Sequence, residues 1–220
     1  MQTRCGRSLP STITEACGSL IAAWAEEIAM IELSKYNRKL LNDLQRFQPD
    51  TYAHSIRVKR YVLEFLLYLN ECQRTFFSQR EIDLICEGAL LHDVGKMRTE
   101  NSILTKETSL DPDEFEHVAL HAVEGGNMVR DRLPEGDERD IVSTICARHH
   151  DKIADDSSLP LYVQIVSICD AYDALCSRRW YHGEKTPANA LRMIRDGFCG
   201  EFQQQLVDDL ENCQRKNGRL

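Results

Sequence analysis

The chain has 220 residues, 42% of them hydrophobic, with 11 glycines and 6 prolines. That composition excludes a disordered or fibrous polypeptide and suits one globular domain with a short appendage. Its 27 basic and 35 acidic residues leave a formal charge of −8, and no dense Lys/Arg run offsets it, so a nucleic-acid polymer is excluded as partner. The apolar stretch from Leu20 to Leu33 is broken by Glu26, Glu27 and Glu32, too charged to span a membrane, and no secretory signal is visible. The expected location is the cytoplasm.

Period-3.6 patterning dominates and alternation with period 2 is almost absent, so the fold class is all-α. A helix is predicted over 12 to 33, capped by Thr12 or Thr14 ahead of Glu15. Pro49-Asp50-Thr51 then opens a long helix to about 72, whose stripe His54, Val58, Tyr61, Phe65 puts His54 on the buried face. Ser78 and Glu81 form a capping box for a helix over about 79 to 92, ending at His92, Asp93 and Gly95. Gly95 is expected there in a backbone conformation that only glycine adopts cheaply. Residues 97 to 111 are polar and loop-like. A single helix over about 112 to 132 carries His117 and His121, and another over about 137 to 150 ends in His149-His150. After a loop rich in Asp and Ser, a helix over 161 to 178 places Asp170 and Asp173 on one face. Helices over about 187 to 196 and 201 to 213 complete the chain. The domain boundaries read as an N-terminal helical extension over 1-45, a main helical domain over 46-213 and a tail over 214-220.

Nine cysteines are scattered without a CxxC pair, so neither a disulfide framework nor a thiolate zinc site is expected; Cys86, Cys169 and Cys176 lie within apolar runs as small hydrophobes. The histidines carry the chemical signal. A single histidine on a buried helix face is usually an ordinary core residue, but His54, His92, His121, His149 and His150 all fall at helix ends or on apolar faces, together with Asp93 and Asp170. A carboxylate has two oxygens and can span two ions, so a His-Asp doublet at a helix terminus is a natural bridge. Mixed N and O ligation suits first-row divalent ions such as iron, manganese, zinc or nickel. Two such ions about 3.5 to 4 Å apart would polarise a phosphoryl group and supply a hydroxide nucleophile at neutral pH.

Five segments, in order, resemble the HD superfamily of metal-dependent phosphohydrolases, and within it the HD-GYP phosphodiesterases of cyclic di-GMP. They are YAHSIRV at 52 to 58, LLHDVGK at 90 to 96, EFEHVALHAVEGGNMV at 114 to 129, ARHHD at 147 to 151, and ICDAYDAL at 168 to 175 followed by SRRWY at 177 to 181. The resemblance implies a helical bundle with a central metal site, held by His54, His92, Asp93, His121, His149, His150 and Asp170, with Asp93 as bridge and catalytic residue. It further implies Lys96 as a catalytic group contacting the scissile phosphate and Arg179 as a substrate-binding residue. Asp50, four residues before His54, stands where some family members recruit a third metal, although an aspartate in a helix's first turn has a sufficient structural role there. The implied cofactors are two divalent ions, three if Asp50 takes part. Asp173 is assigned to supporting the ligands and His117 to an exposed helix face.

After the paired histidines the family pattern runs through an acidic-basic pair to a glycine-rich loop ending in Gly-Tyr-Pro. This chain reads HHDKIADDSSLP: Asp151-Lys152 fits, both glycines and the tyrosine are missing, and Pro160 is displaced by one residue. Hydrolysis of a phosphoester is therefore better supported than hydrolysis of cyclic di-GMP in particular. The leading expectation is a phosphodiesterase for a cyclic dinucleotide. The alternatives are a phosphatase for nucleotides or other phosphomonoesters, and a catalytically degenerate signalling or binding module. The expected partner is a small phosphorylated substrate, a nucleotide, with no membrane; the N-terminal extension is assigned either to homodimer formation or to covering the core.

Overall fold

The apolar periodicity is realised as helices. The computed structural model describes residues 33–106, 108–151, 158–177 and 185–220, and no strand occurs among them. They belong to one compact unit, Leu33–Leu220. The helix predicted over 12 to 33 lies outside the described residues.

Helix α1 (Lys35–Phe47) starts where the Ser34 side chain accepts from Asn37 N, and it buries Leu40, Leu41 and Leu44. It packs on α2 (Pro49–Glu71) and α3 (Gln79–Leu91), so part of the segment read as an extension joins the bundle. Helix α2 begins with proline at its first position, where no N–H is required, and buries His54, Val58, Tyr61, Phe65 and Leu69 along one stripe. Helix α3 has the full reciprocal capping box of Ser78 and Glu81. Every residue from Leu84 to Leu91 is buried, Glu87 included, which makes α3 the central helix. Fully burying an aliphatic side chain such as Ile85, Leu90 or Leu91 contributes about 1.5–3 kcal/mol.

A 3-10 segment, Val94–Arg98, follows directly, then the short α4 (Asn101–Leu104). The single helix predicted over 112 to 132 is two, α5 (Pro112–Ala119), capped by Asp111 and Glu114, and α6 (His121–Arg130). Gly126 lets α6 lie close against α7 (Asp137–Arg148): a Cβ there would stand 2.9 Å from Ser143 O. Helix α8 (Leu161–Cys176) packs on α2 and is almost wholly apolar on its buried side, from Val163 to Cys169. Helices α9 (Pro187–Arg195) and α10 (Gln204–Lys216) cover it and α2. The C-terminus is tied to α2 by Arg219, whose two guanidinium nitrogens donate to Glu64 at 2.6 and 2.8 Å. The seven described cysteines form no disulfide with one another. No helix among the described residues is long and apolar enough to cross a membrane.

Gly95 corrects one expectation. Its φ is not positive; glycine is needed because a Cβ would fall 1.9 Å from His121 O and 2.7 Å from Gly125 N. The 3-10 segment and α6 meet backbone to backbone, which brings the Asp93 and His121 side chains within reach of each other.

Candidate metal centre

Four helices and the junction after α3 converge on one buried point. His54 comes from the second turn of α2, and His92 and Asp93 from the α3 C-terminus. His121 opens α6, His149 and His150 follow α7, and Asp170 lies in α8. His54, His92, Asp93, His121 and His149 are buried, Asp170 is half-buried and His150 stands on the solvent side.

Asp93 lies between two groups of ligating atoms. Its Oδ1 is 3.1 Å from His121 Nε2 and 3.9 Å from His149 Nε2. Its Oδ2 is 3.4 Å from His92 Nε2 and 3.8 Å from His54 Nε2, and it accepts from Lys96 Nζ at 2.6 Å. His54 Nε2 is also 2.9 Å from Asp170 Oδ1. Among the described residues, three sets have donor atoms within 4.8 Å of one another: His54, His92 and Asp170; His121, His149 and His150; and His92, Asp93 and His149.

The outer face of each imidazole sets its tautomer. Nδ1 of His92, His121 and His149 each faces a backbone carbonyl three residues earlier, on Ala89, Val118 and Cys146. A nitrogen facing a carbonyl must carry the proton, so in each neutral ring the inward Nε2 presents a lone pair. His54 differs: its Nδ1 lies 2.7 Å from Asp173 Oδ2, and Arg57 grips the same carboxylate through Nε at 2.9 Å and a terminal nitrogen at 3.0 Å. Carboxylates and carbonyls behind the imidazoles are the usual device for orienting metal-binding histidines. Asp173 thus supports His54 rather than joining the inner cluster. Arg57 escaped the sequence reading, although its place three residues after His54 on the same helix face was the available signal.

The charges respond to this crowding. Burial works against a proton on His54, but the Asp170 and Asp173 carboxylates outweigh it and push the imidazole up to about 9. Burial likewise opposes ionisation of Asp93, yet Lys96 and His92 hold its carboxyl well below the usual range. Asp170 is held low against burial by His54. Burial, reinforced by His150 and His92, keeps His149 neutral.

The residues fit a cation. His92 Nε2 is buried without a hydrogen-bond partner, and His54 Nε2 faces Asp170 Oδ1 at 2.9 Å. His121 Nε2 is 3.4 Å from His149 Nε2 and 3.3 Å from His150 Nε2. Inward lone pairs so close repel unless positive charge lies among them. A cavity of about 240 Å³, lined by Lys96, His149, His150 and Asp170 among others, opens beside the cluster.

Of the remaining expected site residues, Lys96 is half-buried at the rim, its ammonium on Asp93. Asp50 is exposed in the first turn of α2, and none of the three ligand sets includes it. His117 is exposed on α5. Arg179, His182 and most of the loop after Asp151 lie outside the described residues.

Residues 51–175 match the HD domain, and the chain belongs to that family. The family and the His/Asp cluster together define a divalent-metal site. Among relatives, the chain is 29% identical over 176 residues to a probable cyclic di-GMP phosphodiesterase of Vibrio cholerae, covering 73% of this chain and 40% of that protein. It is 32% identical over 165 residues to a cyclic di-GMP phosphodiesterase of Pseudomonas aeruginosa, covering 71% and 37%. It is 29% identical over 194 residues to the 3'3'-cGAMP-specific phosphodiesterase 2 of Vibrio cholerae, covering 81% and 35%. The chain therefore spans 35 to 40% of the length of these proteins. An HDG"Y"P protein from Bdellovibrio bacteriovorus has the same fold, with a TM-score of 0.58 at 18% identity over 74% of this chain and 52% of that one.

Proposed function

We propose that this chain is a metal-dependent phosphodiesterase that hydrolyses a cyclic dinucleotide such as cyclic di-GMP. The observation that carries the reading is the two-sided environment of Asp93, with His121 and His149 toward Oδ1 and His54 and His92 toward Oδ2. One ion would be held by His54, His92 and Asp170 with Asp93 Oδ2. A second would be held by His121, His149 and His150, the set that Asp93 Oδ1 faces. Such ions, with iron or manganese suited to this N/O set, supply Lewis acidity and an activated water.

The protein's own groups do the rest. Carbonyl partners behind His92, His121 and His149 hold those rings with a lone pair inward, and Asp173 orients His54, so no reorientation is needed during reaction. Asp93, kept ionised by Lys96 and His92, contributes fixed negative charge between the two ligand sets. Lys96 lines the cavity and, among the described residues, is the cation on its wall that would hold the scissile phosphate and balance the charge that develops on it. Cyclic dinucleotide substrates are supported by the names of the relatives, which match over most of this chain although it spans less than half of each.

Metal analysis of protein purified without chelators is the first test, with close to two transition ions per chain expected. Hydrolysis of cyclic di-GMP and of 3'3'-cGAMP with Mn or Fe is the second. An Asp93→Ala variant that retains both its ions and wild-type turnover would overturn the mechanism.

A further inference from the structure

The cavity beside the metal centre is lined by two chemically different groups of residues. Lys96, His149 and His150 form one group, none of which reaches the small recess that adjoins the cavity. The other is built by Cys199, Gly200, Glu201 and Phe202, the segment leading into α10, which lies beyond the residues matched to the HD domain. Gly200 has φ 107°, an angle that side-chain-bearing residues rarely adopt, and after this turn the exposed Glu201 and the half-buried Phe202 line the cavity. A recess of about 10 Å³ shares Glu201, Phe202, Asp151 and Ser167 with the main cavity and is backed by Gln164.

The side chains of this second group offer acceptors. Glu201 and Asp151 bring carboxylates, the latter already accepting from Arg148 Nε at 2.7 Å. Gln164 spends its Nε2 donor on Leu159 O at 2.7 Å, leaving a buried Oε1 without a partner. The Ser167 hydroxyl donates to His149 O at 2.6 Å, so its proton is committed within the protein. An anionic phosphate belongs beside the lysine and histidines, whereas the carboxylates call for a group that presents N–H donors and an apolar face.

We propose that the wall formed by Glu201 and Phe202 reads the base of the substrate and selects guanine. Guanine presents two adjacent donors, N1–H and the 2-amino group, which a carboxylate accepts together. Adenine presents one amino group beside the N1 lone pair, which faces a carboxylate with repulsion, and cytosine does the same through N3. Phe202 supplies the ring against which the purine packs. The cavity of about 240 Å³ is smaller than the roughly 300–1,000 Å³ that enclose whole drug-sized ligands, so it takes one nucleotide half of a cyclic dinucleotide. This assignment rests on the phosphodiesterase reading for its substrate but is tested by binding alone.

Metal-loaded full-length protein is titrated calorimetrically with GMP and with AMP in the presence of Mn. GMP is expected to bind at least about tenfold more tightly, the size of one good charge-assisted contact. Glu201→Gln should bring the ratio of affinities to one or below, because an amide accepts from the adenine amino group and donates to N1. Phe202→Ala should weaken both nucleotides alike. Equal affinity of the wild-type protein for GMP and AMP overturns the proposal, as does a Glu201→Gln variant that still prefers GMP by tenfold. Discrimination without hydrolysis of any cyclic dinucleotide would sink the phosphodiesterase reading and leave the base-reading wall standing; hydrolysis without discrimination would do the reverse.

Discussion

Gly95→Ala perturbs the centre without touching a ligand. The added Cβ would sit 1.9 Å from His121 O and 2.7 Å from Gly125 N, both backbone atoms at the start of α6. To restore ordinary contact the 3-10 segment and α6 must part by about 1.5 Å, an overpacking that costs about 2–3 kcal/mol. For a protein of this size that is a fall of roughly 4–12 °C in Tm. The same movement draws His121 away from Asp93, now 3.1 Å apart, so the variant should also purify with less metal. Circular dichroism melting and elemental analysis read the two effects. Gly218→Ala is the control: its φ is 69° and nothing lies near its Cβ, so it should cost only the backbone penalty of about 1–2 kcal/mol and keep the full metal content. A Gly95→Ala protein with unchanged Tm and metal content would refute the claim that backbone contact sets the Asp93–His121 spacing.

Asp173→Asn weakens the grip on His54 and should lower metal affinity by roughly 10- to 100-fold, measured by competition with a chelating dye; unchanged affinity would mean that Asp173 serves packing alone. Lys96→Ala should keep its ions while kcat falls by roughly 10²–10³, since a cation at the phosphate acts chiefly in the transition state; loss of metal instead would make Lys96 a structural partner of Asp93. Glu87, buried in α3 beside Asn37, has its carboxyl pushed up to about 7 by burial and by Glu138. A carboxyl that holds its proton more tightly when folded adds stability below its ordinary pKa of 4.5 and loses it as pH rises through about 7. Relative to Glu87→Gln, the wild-type protein should therefore lose up to about 3 kcal/mol between pH 4 and 8 in urea denaturation; a pH-independent difference would contradict this.

The bundle was readable wherever local chemistry declares itself. The Ser78/Glu81 box and Pro49 marked helix starts because capping depends on a few adjacent residues, and the stripe from His54 to Phe65 followed from period alone. The break at Leu120 was not readable, since α5 and α6 carry continuous helical patterning and no glycine or proline separates them. The need for glycine at position 95 was read from the wrong cause, because the demand comes from α6, distant in the chain. Within the site, residue types and order named the candidates, and the structure adds where they meet. His92, Asp93 and His149 could be nominated from sequence, but that the two oxygens of Asp93 face different histidines is a three-dimensional fact. Arg57 shows the same limit: its value lies in gripping Asp173, 116 residues away. The base-facing wall at Glu201 and Phe202 lies in a segment whose sequence carries no motif.

The contact of His54 with Asp173 joins positions 119 residues apart, and those helices bracket most of the chain. An ion seated among His54, His92 and Asp170 would act as a removable cross-link, closing loops of the length at which a covalent tie restricts an unfolded chain most. Loading would then stiffen the whole bundle against opening. Protease digestion would consequently distinguish loaded from stripped protein even in a variant that turns over nothing.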